Sequence, residues 1–151
     1  MDNNDVIATL NDLIECAKDG EFGFRASAGC MRNAQTKQLL VQTAEECSAA
    51  AAELRPFVVN LGGKAEQGGS AAGAMHRGWV AVKGTLSGYS DQQILEDTQR
   101  AQDKALACYR ETMDTELPAQ LRAVIEGQYL ALQRSHTKIT DLRDRARTAT
   151  Q

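Results

Sequence analysis

Apolar residues recur along this chain at intervals of three and four from near its start to near its end, the period of helices buried on one side. The first stripe is Ile7, Leu10, Ile14, Ala17, Phe24 and Ala28, interrupted only by Glu21. With Asn4 as N-cap and Asp5 placed against the helix dipole, this spacing predicts a helix over about 5–31 that turns at Arg32-Asn33. A second helix, 34–61, carries Leu40, Thr43, Cys47, Ala50, Leu54, Phe57 and Leu61 on one face. Pro56 falls inside that pattern and removes the backbone bond to the Ala52 carbonyl, so a kink is expected before Leu61-Gly62-Gly63 ends the helix. A third helix, 91–115, opens on Ser90-Asp91-Gln92-Gln93, a capping box, and buries Ile94, Leu95, Thr98, Ala101, Ala105, Cys108, Tyr109 and Met113. The fourth, 118–147, takes Pro118 in its first turn and repeats Leu121, Ile125, Gln128, Leu132, Ser135, Ile139 and Leu142. Arg143, Arg145 and Arg147 suit its C-terminus.

The connections set the topology. Links of two or three residues join the first helix to the second and the third to the fourth, so each pair is an antiparallel hairpin. Residues 62–89 lie between the hairpins. A helix as long as the second spans about 40 Å at 1.5 Å per residue, and the link has the reach to run back along it. Ser70 can cap a short crossover helix over 70–86, with Met75 and Trp79 as the apolar side that docks it and His76 beside Arg77 as a solvated or capping pair. The expected architecture is an all-α, ferritin-like four-helix bundle of one domain, 1–151, in which the second and third helices run parallel.

At 151 residues the chain is long enough to bury a core without disulfides or structural metal. Seventeen Lys and Arg against twenty Asp and Glu give a formal charge of −3 without any basic stripe, which argues against a nucleic-acid partner. No apolar run approaches a bilayer-spanning length, and MDNNDVIATL lacks the pattern of a signal peptide, so no membrane partner and a cytoplasmic location are expected. The four cysteines form no CxxC pair and read as reduced packing residues. A weaker reading is a thiol sensor, because the hairpin turn sets Cys16 and Cys47 at about the same height, though both are expected to be buried and unreactive.

Several ordered stretches resemble one family. Leu10-Asn11-Asp12-Leu13-Ile14-Glu15 and Lys18-Asp19-Gly20-Glu21-Phe22-Gly23-Phe24-Arg25 look like the first helix of an uncharacterised bacterial ferritin-like four-helix-bundle family. Leu61-Gly62-Gly63, Gly73-Ala74-Met75-His76-Arg77-Gly78-Trp79 and Glu126-Gly127-Gln128-Tyr129 are similar to its later segments. The resemblance implies the fold and a cytoplasmic bacterial setting, and it implies no reaction, because the family is one of unknown function.

Di-iron carboxylate bundles place a Glu on each of two helices and a Glu-x-x-His on each of the other two. This chain has no Glu-x-x-His: Ala49 stands third after Glu46, Tyr129 third after Glu126, and Gln133 third before His136. The pattern instead aims a polar layer inward, namely Glu21, Thr43, Glu46, Gln102 and Gln128, which reads as a hydrogen-bonded layer fixing helix register. Gly20 and Gly23 flank Glu21 and leave room for close backbone approach or a local distortion. No metal or other cofactor is called for. The expected function is a non-catalytic structural or partner-binding module that forms a homodimer, with Leu13, Leu39, Val59 and Ala131 free beside the core stripes. The alternative is a metal-binding or oxidative-stress protein using a degenerate carboxylate site around Glu21 and Glu46.

Overall fold

Local capping chemistry decides where each helix begins. In the computed structural model, which describes residues 2–68 and 90–150, the first helix, α1, spans Asn3–Cys30 and is capped by Asp2, whose carboxylate accepts the Asp5 N–H at 2.9 Å. It therefore starts ahead of the expected Asn4 cap, because Asp2 both accepts the bond and places its charge at the dipole's positive end. Asn33 caps α2, Ala34–Asn60, by accepting the Thr36 N–H. That helix continues through Pro56. It ends on Gly62, which takes the left-handed φ of 87°. Gly62 and Gly63 then return their N–H groups to the carbonyls of Val59 and Val58, the pairing that satisfies a helix end when a glycine accepts the left-handed turn. The third helix, α3, spans Asp91–Met113 and has the expected capping box of Ser90 and Gln93. The fourth, α4, spans Ala119–Thr150, just after Pro118, whose carbonyl accepts the Arg122 N–H. All four elements are helices, with no strand among the described residues. None of these helices is long and apolar enough to cross a membrane. The expected crossover helix over 70–86, with Met75, His76 and Trp79, lies outside the described residues.

α1 packs on α2 and on α3, α3 packs on α4, and α2 meets α4 only sparsely. Two polar anchors fix how the hairpins are joined. The Asp91 carboxylate accepts the backbone N–H of Arg32 and of Asn33, each at 2.9 Å, so the start of α3 is held at the α1–α2 turn. At the other end of the bundle the Asn11 amide donates to the Lys64 carbonyl and accepts the Glu66 N–H, and a Cβ at Gly63 would meet the Ile7 side chain at 2.8 Å. The link thus leaves beside the start of α1 and arrives beside its end. α2 and α3 therefore run in the same direction.

The core falls into two apolar clusters. The larger gathers Val6, Leu10, Leu13 and Ile14 of α1 with Leu54, Val58, Leu106, Tyr109, Leu121 and Ile125. The smaller gathers Ala28, Met31, Leu40, Ile94, Leu95 and Ile139 at the opposite end. Between them lies a waist where buried polar groups occur on every helix: Glu21, Thr43, Thr98, Gln102 and Ser135. Phe24, 2% exposed, is the large apolar residue of α1 at this level. Leu13, expected at the surface, is instead 1% exposed, because α1 packs on two helices and its buried stripe is correspondingly wide.

Candidate functional site

The polar residues of the waist do not converge on one centre. Glu21 is buried, yet its carboxylate is met by the Lys18 ammonium and by Arg25 at 3.4 Å, both from its own helix. Burial pushes its carboxyl up, and hydrogen bonding and charge from Lys18 and Arg25 more than reverse this, leaving it below the ordinary carboxylate range. Lys18 also lies over the Phe22 ring, 4.7 Å from its centroid. Thr43 and Thr98 give their hydroxyls back to the carbonyls of Leu39 and Ile94 on their own helices. Gln102 is fully buried, and neither its amide nitrogen nor its oxygen has a hydrogen-bond partner among the described residues.

Glu46 is not inward. It is exposed, and its carboxylate accepts the Ser135 hydroxyl at 2.8 Å, tying α2 to α4. The reason is angular: one residue before Cys47 is a rotation of about 100°, which carries Glu46 from the α1 side of α2 to the α4 side. Gln128 is half-buried and joins three helices. Its oxygen accepts the Tyr109 hydroxyl at 2.8 Å, and its nitrogen donates to the Ala50 carbonyl at 3.2 Å and to Glu53 at 2.8 Å.

These residues do not fit a ferritin-type di-metal centre. Glu21 is already matched by two cations, Glu46 points elsewhere, and Gln102 and Gln128 are neutral amides that add no charge to balance a metal. Among the described residues no three His, Cys, Asp or Glu side chains come together as metal ligands. His136 pairs with Asp103 on the α3–α4 surface, its Nε2 at 2.7 Å.

What the helices do build is a cleft of about 470 Å³ along the α2–α4 seam. Its walls are small side chains, Ala49 and Ala50 on α2 and Ala123, Gly127 and Ala131 on α4, with Tyr109 and Leu132 deeper and Glu46, Glu53 and Gln128 as polar groups. Burial, above all, pushes the Tyr109 phenol up, so it stays a neutral donor to Gln128. A Cβ built at Gly127 meets no heavy atom within 4 Å, so packing does not require glycine there. Gly20 is different: its Cβ would come within 3.1 Å of the Cys47 sulfur, the close approach expected of it, whereas a Cβ at Gly23 meets nothing within 4 Å. The cleft went unread in the sequence, although its signal is present as Ala123, Gly127 and Ala131 spaced by four on one side of α4.

Comparison with known proteins adds a family. No curated protein matches the chain. A family model described as a domain of unknown function, DUF2383, matches residues 5–115, from the first turn of α1 to just beyond α3. With most of its length inside that match, including both polar anchors and all of the waist but Ser135, the chain belongs to the DUF2383 family.

Proposed function

We propose that this chain is a non-catalytic, ferritin-like cytoplasmic bundle that works as a partner-binding module, and that the α2–α4 cleft is its binding surface. The observation that carries this reading is the cleft itself, walled by Ala and Gly where bundles ordinarily close with larger residues. A groove between two helices with short side chains accepts an amphipathic helix, whose apolar residues enter at three- and four-residue spacing. Glu46 and Glu53 on the α2 wall favour a partner with a basic flank. Against the metal-binding alternative stand the two cations on Glu21 and the outward direction of Glu46.

Gly127→Leu tests the cleft. The change fills it from a position with room for a side chain, and removing a mid-helix glycine raises helix stability by up to about 1 kcal/mol. The variant should melt at or above the wild-type temperature while losing at least about tenfold in affinity for bis-ANS, the apolar probe used in the titration, a loss of about 1.4 kcal/mol. Equal dye affinity in the two proteins would remove the cleft as the binding surface.

We further propose that the chain forms a homodimer. Val59 on α2 and Leu130 on α4 are 60% and 53% exposed, and two-fold pairing is the commonest way to cover such residues. Sedimentation at tens of micromolar should show a dimer; monomer alone would contradict it.

A further inference from the structure

The helices do not close equally on one another. α1 packs along α2 and α3, and α3 along α4, yet α2 meets α4 only sparsely. Two recesses result on one face. The cleft lies toward the end where α4 begins, and toward the other end is a hollow of about 340 Å³ lined by Gln38 and Gln42 of α2 and by Lys138, Asp141 and Arg145 of α4. On α4 the lining residues Gly127, Ala131 and Lys138 recur at helical spacing, and Arg134, which is exposed, stands three residues after Ala131 and four before Lys138. The two recesses therefore belong to one continuous face.

Charge divides that face by helix. α2 presents Glu46 and Glu53, whereas α4 presents Arg134, Lys138 and Arg145 against Asp141. Glu46 accepts the Ser135 hydroxyl and Glu53 the Gln128 amide. Both donors are neutral, so they hold the carboxylates in place without offsetting their charge. Among the described residues neither carboxylate has a cation for a partner, and neither Arg134 nor Lys138 has a carboxylate.

We propose that a second copy of this chain covers the face, turned about a two-fold axis parallel to the helices, so that α2 of each copy lies on α4 of the other. This pairing rests on the homodimer proposed above and gives it a surface; α4 of the second copy is the basic-flanked helix that the cleft accepts. Rotation about such an axis keeps every residue at its own level along the bundle. Within one chain Ser135 meets Glu46 and Gln128 meets Ala50, so Arg134 of one copy arrives level with Glu46 of the other, with Lys138 one turn away. Leu130 and Ala131 arrive level with Ala49. The small side chains let the two helices approach closely, and Leu130, 53% exposed in the single chain, is set over the cleft. The other face-to-face two-fold, perpendicular to the helices, lays α2 on α2 and brings carboxylates against carboxylates. Charge thus selects the first arrangement, and the symmetry makes each contact twice.

Sedimentation of the full chain, with charges reversed one side at a time, tests the pairing. Arg134→Glu sets like charges together at both contacts, as does Glu46→Arg, and each variant alone should dimerise at least about tenfold more weakly than the wild type. Mixed in equal amounts, the two variants should recover the dimer, because both contacts of the mixed pair regain opposite charges. Lys138→Glu leaves the Ser135–Glu46 bond untouched and should weaken the dimer in the same direction, which carries the test if Glu46→Arg does not fold. Val59 stands nine residues from Ala50, on the opposite side of α2, so Val59→Ser should dimerise as the wild type does. A wild-type dimer that no reversal weakens, a loss that mixing does not restore, or a dimer lost in Val59→Ser would overturn this interface and leave the homodimer standing. A wild type that sediments only as monomer would overturn the homodimer itself.

Discussion

Phe24→Ala should lower the stability of the fold by about 3–5 kcal/mol, the range for deleting a buried aromatic side chain. Phe24 is 2% exposed and sits at the waist, where the neighbouring buried residues are small or polar and cannot close over the space it leaves. Its ring lies 3.5 Å from the Cβ position of Gly20, and the same glycine lets the Cys47 sulfur approach α1. Removing the ring therefore opens a cavity beside the contact between Gly20 of α1 and Cys47 of α2. In a chain of this length a loss of that size moves the melting temperature by about 2–4 °C for each kcal/mol. Phe24→Leu should recover much of it. Urea unfolding that shows a change below about 1 kcal/mol for Phe24→Ala would mean that the waist is not packed as described.

Gln102→Met should stabilise the protein, by about 1–3 kcal/mol. A buried donor or acceptor without a partner costs about that much, whereas replacing it with an apolar group of similar shape removes the cost. Gln102 carries one of each, fully buried, and neither is paired among the described residues. Methionine keeps the chain length and adapts to the space. Thermal melts of the two proteins decide the matter. A lower melting temperature for Gln102→Met would mean that the amide has a partner in solution, and that the waist holds something besides its own side chains.

Much of the architecture is legible in the sequence because it is locally encoded. The stripes from Ile7 to Leu142, the Ser90–Gln93 box and the glycines after Leu61 each act within a few residues, and the helices begin and end within a few residues of where these signals place them. What escapes is whatever depends on a second helix. Leu13 looks like a flank of the α1 stripe until α3 is known to cover it. Glu46 looks inward until α4, rather than α1, proves to be the neighbour on its side, with Ser135 as partner. Cys16 and Cys47 stand at about the same height through a two-residue turn, but that they share a cleft with α4 depends on how the hairpins pack. The cleft is harder still, because its width follows from side-chain size on α2 and α4 together.

The function proposed above has the waist of this four-helix bundle serve packing rather than metal. Metal content of protein purified without chelator, read together with melting in the presence and absence of added Fe²⁺ or Mn²⁺, tests it most directly. Glu21 bound by Lys18 and Arg25, Glu46 turned to the cleft, and amides at 102 and 128 predict far less than one metal per chain and a melting temperature that neither ion moves. Stoichiometric iron or manganese in the purified protein, or a rise of several degrees on adding either ion, would contradict it.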